Sequence, residues 1–390
     1  MVRKVFIGVG LLLLVLLAAA GAIIFGARPQ PIQGLDGVRL TPLRTISSTE
    51  ARVLLFITRV KGIPVHNAID LYRMNYSLAS TDGKVMPLSG LLALPHGLAS
   101  HRLVSFQHGT TTTRTAVPSK PDGTGIATAI VFAGNGYALI VPDYPGLGDS
   151  PGRHPYYVAA AIAPAIVAMI EVAQHQNSVP KGPVFLCGFS EGAWASLAAL
   201  RILENEHTPV LGSALVAGAY DLRRVSLTAS MNARSSAQSL YLAYAAWGQA
   251  DYYGHPLDSV LTPSYAKLTE RLFTDATPQE ILSALPANPR QLFGQTFLHA
   301  YDHDGSHWFL DAMAVNSLID VMPRSPLRFY YGSTDAEVSP EESLNAARAM
   351  TLGGSDVSAT SVGPVGHDAS MLNAAPFILA WLRQLDAAVK

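Results

Sequence analysis

The chain has 390 residues, 14% of them charged and 49% hydrophobic, with 27 Lys and Arg against 28 Asp and Glu. An average soluble domain carries about 25% charged residues, so this chain has a thinly charged surface and ample material for a core. The near-neutral balance excludes a basic nucleic-acid stripe and an acidic disordered tail, and the single cysteine, Cys187, excludes a disulfide framework and a cysteine-rich zinc site.

At the N-terminus, Arg3 and Lys4 precede an uncharged apolar run over residues 5–27. As a helix that run reaches roughly 34 Å, enough to cross a bilayer core of about 30 Å. The same pattern describes a secretory signal peptide, with Ala20-Gly21-Ala22 as an A-x-A cleavage site. Residues 1–27 are therefore expected to act as a membrane anchor or a signal peptide, and both readings leave the body outside the cytoplasm.

Beyond the linker at residues 28–31, short apolar runs alternate with longer helical patterns, the signature of an α/β fold with a mostly parallel sheet. Two extended stretches flank the turn Thr81-Asp82-Gly83-Lys84 and predict a hairpin. Buried strands are expected at 103–107, 137–144, 184–189, 212–220 and 327–332, with helices at 155–175, 191–204 and 371–387. The interval 221–324 lacks a convincing strand and is far longer than a usual strand–helix connection. It reads as an inserted helical cap, leaving 28–220 and 325–390 as the core. Its aromatics Tyr241, Tyr244, Trp247, Tyr252 and Tyr253 serve either as packing between cap helices or as the lining of an acyl pocket.

Gly188-Phe189-Ser190-Glu191-Gly192 directly follows the strand VFLC and precedes the helical run AWASLAAL. That strand–turn–helix context is what a nucleophile elbow requires, with Gly188 and Gly192 giving the backbone room to turn tightly. Ser190 is the expected nucleophile. The helix that begins at 191 aims its amides at developing negative charge, so the Glu191 N–H is the expected oxyanion donor.

A serine hydroxyl needs a histidine base, itself oriented by a carboxylate. Asp335 lies just past the strand that ends near Gly332, whereas the competing Glu337, Asp320 and Asp304 lack that position. His367, in a Gly-rich loop after a short strand-like run, is the only one of 12 histidines C-terminal to Asp335. Near the end of strand 103–107, Gly109 lets the backbone approach a substrate carbonyl, and the Thr110 N–H is the expected second oxyanion donor.

Asp143-Tyr144-Pro145-Gly146-Leu147-Gly148, then His154-Pro155-Tyr156, then GFSEG, G-S-T-D and G-H together resemble the α/β-hydrolase superfamily. Within it, the D-Y-x-G-L-G and H-P-Y pair is similar to secretory lipases of the lipase A type. The resemblance runs from about residue 70 to the C-terminus. It implies an α/β-hydrolase fold with a helical cap and a serine esterase or lipase working through an acyl-enzyme, with Ser190, Asp335 and His367 in the triad roles.

Several features depart from that pattern. The chain has no disulfide, its oxyanion loop reads H-G-T where a carboxylate is common, and Glu191 puts a charge beside the nucleophile. The short segment after His367 is too brief for an extended C-terminal flap. These departures weaken lipase action on aggregated fat and leave ester hydrolysis intact.

Asp302-His303-Asp304-Gly305-Ser306-His307 carries metal-capable side chains, but Gly305 and Ser306 disfavour a helix that would align them, so it reads as a polar cap turn with no metal. Cys187 reads as a buried small hydrophobe. The expected activity is that of a carboxylic-ester hydrolase needing no cofactor. It acts on a small-molecule or lipid ester, with the membrane met through the N-terminal segment and no role for nucleic acid. A serine peptidase (with Asp251 or Asp258 as an amine anchor), an acyltransferase and a non-catalytic binding protein are the alternatives.

Overall fold

The computed structural model describes residues 27–58, 60–79, 83–120 and 123–388. The apolar N-terminal run, residue 27 apart, lies outside the described residues, and so does the tip of the expected hairpin at 80–82. Among the described residues, no helix is long and apolar enough to cross a membrane.

One nine-stranded sheet organises the described residues. Its strands are β1 (Arg39–Ile46), β2 (Ile69–Ala79), β3 (Val85–Pro95), β4 (Leu103–Gln107), β5 (Ala138–Pro142), β6 (Val184–Phe189), β7 (Val210–Val216), β8 (Leu327–Tyr331) and β9 (Val357–Ser361). Their spatial order is β1-β2-β3-β5-β4-β6-β7-β8-β9. The hairpin β2–β3 pairs antiparallel from Ile69 with Pro95 to Ala79 with Val85, and β1 and β5 join it antiparallel. From β5 to β9 every neighbour is parallel. The chain runs from β4 to β5 on one side and then returns to β6 on the other, so β4 and β6 lie side by side where the winding reverses. In open parallel sheets, ligands bind outside the carboxyl ends of the strands at such a reversal.

Helices cover both faces. On one, α1 (Ser48–Ile57), α2 (Gly123–Phe132) and α12 (His367–Ala388) pack over Leu139, Val141, Phe185 and Cys187. On the other, α3 (Ala159–His175) and α4 (Glu191–Asn205) pack over Ile140, Leu186 and Leu215. Adjacent residues of β5 and β6 thus feed opposite cores, which is why these strands are apolar without alternation. α11 (Pro340–Leu352) connects β8 to β9.

Between β7 and β8 the described residues are helical. They form a π turn (Leu222–Ser226), α5 (Leu227–Asn232), α6 (Ser236–Tyr253), α7 (Pro263–Asp275), α8 (Pro278–Ala284), α9 (Gln295–Asp302) and α10 (Trp308–Val315). One isolated bridge, Leu261 with Phe293, interrupts them. Both ends of this insertion are tied to the core. Glu342 on α11 accepts from the backbone N–H groups of Tyr220 and Asp221, each at 2.8 Å. Asn316 accepts from the Ala159 N–H and, through its own carbonyl, from the Trp194 indole, both at 2.9 Å.

The expected strands 137–144, 212–220 and 327–332 shorten to β5, β7 and β8. The last helix begins at His367 itself, four residues before the apolar periodicity that predicts it from 371, and Ser370 N–H already bonds the Gly366 carbonyl at 3.0 Å. β1 escapes sequence reading because it is a half-exposed edge strand whose register breaks between Pro42 and Arg44.

Candidate active site

β6 delivers the backbone to Ser190, which takes φ 56° and ψ −124° before α4 begins at Glu191. A non-glycine residue in that region is strained, and such strain persists only where surroundings enforce it. The Ser190 N–H donates to the Val216 carbonyl at 2.9 Å, pinning the turn to β7. The flanking glycines are required by close approach. A Cβ on Gly188 would stand 2.2 Å from the Gly192 carbonyl oxygen, and one on Gly192 would stand 2.0 Å from that of Gln107. The tight fit locks the turn against the end of β4.

His367 heads α12 with its Nε2 2.8 Å from Ser190 Oγ and its Nδ1 2.7 Å from Asp335 Oδ2. Because Nδ1 faces an acceptor-only carboxylate, it carries the proton, leaving the Nε2 lone pair for the serine hydroxyl. The other Asp335 oxygen accepts from the N–H groups of Glu337 and Val338 at 2.9 and 3.0 Å, which fixes the carboxylate on the loop after β8. All three side chains are largely buried. The His367 pKa lies above its ordinary value: burial opposes protonation, but the hydrogen bond and charge of Asp335 outweigh it.

The loop after β4 lies against the same turn, where a Cβ on Gly109 would stand 3.0 Å from the Phe189 ring and 3.4 Å from Ser190 Cβ. Thr110 Oγ1 and the Tyr156 hydroxyl are 2.8 Å apart, and the Tyr244 hydroxyl donates to the Thr111 carbonyl at 3.1 Å. The hydroxyl of Thr110 is thus engaged by Tyr156. As the first residue of α4, Glu191 has an N–H without an intrahelical acceptor.

A cavity of about 60 Å³ opens at Ser190, bounded by Tyr157, Leu222, Leu227, Tyr241, Met313 and Glu337 among others. Of the five aromatics expected in the insertion, Tyr241 alone lines it, with its hydroxyl donating to Glu337. Tyr244 and Trp247 instead stack on each other at 5.8 Å beside a second cavity, and Tyr252 and Tyr253 pack edge to face at 5.0 Å. Tyr241 thus lines the cavity at Ser190, and the other four pack among themselves and their neighbours.

Other sequence candidates fall away from Ser190 and His367. Asp304 is exposed, 4.0 Å from Arg223. Asp302 pairs with Arg290 at 2.6 Å, and His307 caps α10 by accepting from the Phe309 N–H at 3.1 Å. Cys187 is buried, which pushes its thiol pKa up and leaves it a poor nucleophile. Asp251 pairs with Arg153 at 3.5 Å. Sequence reasoning missed two buried groups. Glu342 ties the insertion to α11. The Glu191 side chain, expected as a charge beside the nucleophile, is fully buried with Oε1 2.8 Å from His154 Nε2.

A mostly parallel sheet, a strained serine turn at its winding reversal and a helical insertion between β7 and β8 define an α/β-hydrolase of the esterase and lipase group. The secretory lipase family model matches residues 124–386, about two thirds of the chain, and the protein belongs to that family of carboxylic ester hydrolases. Solved structures agree on the fold. A Legionella pneumophila protein crystallised as a candidate hydrolase is 26% identical, with 91% of this chain and 97% of that one covered at a TM-score of 0.79. The rice cell wall degrading esterase LipA of Xanthomonas oryzae is 21% identical over 90% of this chain and 97% of its own, with a TM-score of 0.76. Candida antarctica lipase A is 15% identical over 77% and 73%, with a TM-score of 0.63. No curated protein sequence matches the chain.

Proposed function

We propose that the protein hydrolyses carboxylic esters through an acyl-enzyme on Ser190, with His367 as base and Asp335 as its orienting carboxylate. The observation that carries this reading is the continuous relay from Ser190 Oγ to His367 Nε2 at 2.8 Å and from His367 Nδ1 to Asp335 at 2.7 Å. Ser190 Oγ attacks the ester carbonyl while its proton passes to His367 Nε2, and Asp335 stabilises the imidazolium. Backbone N–H groups of Glu191 and Thr110 hold the oxyanion. His367 then gives that proton to the leaving alkoxide, which departs as the alcohol. A water attacks the acyl-enzyme, loses its proton to His367 and releases the acid as Ser190 recovers its hydrogen.

Residues 221–324 act as a cap over the site, supported by the contribution of Tyr241 to the cavity wall. A cavity of about 60 Å³ walled by Leu222, Leu227 and Met313 favours short acyl groups. The lipase A resemblance supports the cap but not fat hydrolysis, since the oxyanion loop departs from it. Membership of a secretory family, together with the apolar run at 5–27, supports export of the body, either anchored or cleaved after Ala22.

Labelling with a fluorophosphonate, followed by peptide mass spectrometry, tests the nucleophile. Modification at Ser190, lost in His367→Ala, is the expected result, and labelling elsewhere with Ser190 untouched would overturn the assignment. An acyltransferase reading predicts instead that an added alcohol accelerates acyl-enzyme breakdown beyond the rate in water.

A further inference from the structure

The ester-hydrolase reading gives no task to the Glu191 side chain or to the H-P-Y motif. Glu191 is fully buried and His154 nearly so. His154 Nδ1 lies 2.9 Å from the Pro145 carbonyl oxygen, and Nε2 lies 2.8 Å from Glu191 Oε1. A carbonyl oxygen only accepts, so Nδ1 carries a proton. Two arrangements then satisfy Nε2: an imidazolium donating to a carboxylate, or an imidazole accepting from a carboxylic acid. In each, one proton is held between the two side chains and their net charge is zero.

Aromatic rings pack most closely around the pair, while Arg114, Arg153 and Glu270 line the cavity beside His154 and the buried Asp143 acts on His108. His108 stacks on Tyr144 with ring centres 4.3 Å apart, and its Nδ1 donates to the Gly109 carbonyl at 2.7 Å. Burial lowers the His108 pKa, against the opposing pull of Glu191 and the Gly109 carbonyl. Tyr144, Tyr156 and Tyr244 all pack their rings within about 6 Å of the His154 ring, at 5.8, 6.0 and 5.8 Å. Burial raises their phenol pKa values well above ordinary. A carboxyl group at the first position of α4 is thus enclosed by aromatic rings, with His154 bonded to one oxygen. Its second oxygen, Oε2, has no hydrogen-bond partner among the described residues.

We propose that His154 is a positioning residue of this active site, holding the proton that leaves the buried His154–Glu191 pair without net charge beside the oxyanion hole. Catalysis places a negative charge on the substrate oxygen at the backbone of residue 191. An uncompensated carboxylate on that same residue opposes this charge in a medium that screens poorly. The pair also ties the N-terminus of α4 to the loop after β5, which a hydrogen bond alone would do. Charge compensation is what separates the proposal from a purely structural role. It rests on the assignment of Ser190 as nucleophile and of the Glu191 N–H as an oxyanion donor.

A double-mutant cycle tests it, with kcat and KM for p-nitrophenyl butyrate measured on the folded full chain, wild type, H154N, E191Q and H154N/E191Q. Asparagine cannot take up the shared proton, so H154N is expected to lower kcat by about 30-fold with KM within about threefold. Replacing the carboxyl by an amide removes the charge, so the double variant is expected to exceed H154N by about tenfold. If H154N does not fold, the comparison of H154N/E191Q with E191Q decides, and the two should agree within about threefold. Full kcat in H154N, a double variant no faster than H154N, or one far slower than E191Q would overturn the proposal. Turnover that survives Ser190→Ala would instead remove the nucleophile assignment, and this inference with it.

Discussion

Two histidines bind consecutive residues of one turn, and their second ring nitrogens set their chemistry apart. His367 meets Ser190 at 2.8 Å and turns its other nitrogen to the Asp335 carboxylate at 2.7 Å. His154 meets Glu191 at 2.8 Å and turns its other nitrogen to a backbone carbonyl at 2.9 Å. The first arrangement leaves a lone pair facing a hydroxyl and supports an added proton through a neighbouring carboxylate. The second has both nitrogens engaged by oxygens of the protein and no lone pair for substrate. The partners of the two nitrogens distinguish them.

The sharpest way to break that comparison is to remove each member. Ser190→Ala or His367→Ala is expected to lower kcat by about 10⁴-fold or more, read from initial rates on p-nitrophenyl butyrate. Near-normal turnover in either would void the contrast. Asp335→Asn is expected to cost about 10³–10⁴ in kcat by leaving the imidazolium unsupported.

The pH profile of kcat/KM sharpens the same point. The base must be neutral, so activity falls as pH drops through the His367 pKa, which stands above 6.5 because Asp335 favours the charged ring. Residual activity in Asp335→Asn is expected to have its acid limb at lower pH than the wild type. An unmoved limb would mean that Asp335 does not set that pKa.

Gly109→Ala presses a methyl group toward Phe189 and Ser190 and displaces the oxyanion loop. We expect a loss in kcat of about 10- to 100-fold, less than complete removal of a donor.

Glu342 offers the smallest kinetic effect and a third kind of buried carboxyl group. Burial raises its pKa, partly offset by hydrogen bonds from Asp221, Ser226 and Tyr220. Glu342→Ala is expected to lower stability by about 2–4 kcal/mol in thermal or denaturant unfolding, with kcat within about threefold. A larger rate loss would mean that the insertion is held in register by this one residue.

The residues that the fold brings together at the candidate site were legible because they lie where local and global signals agree. Ser190 sits between an unbroken apolar run and a helical one, and Gly188 and Gly192 announce close backbone approach. Asp335 and His367 follow from strand ends and chain order. The core strands β4 to β8 were legible because burial on both faces makes them mostly apolar, without a break in β5 and β6. Edge strand β1, half exposed and broken at Pro42, leaves no such pattern. The start of α12 at His367 was hidden because its first turn, HDAS, carries no apolar periodicity. The Glu191–His154 pair was hidden for a different reason. Its members lie far apart in sequence, and only the folded chain shows that a glutamate beside a nucleophile turns inward.

The most direct test of the account compares hydrolysis of p-nitrophenyl butyrate and palmitate by the folded body and by its Ser190→Ala variant. The account predicts butyrate turnover that vanishes with Ser190 and exceeds palmitate turnover by at least about tenfold, since a narrow cavity limits the acyl chain. Butyrate hydrolysis that persists in Ser190→Ala would contradict it.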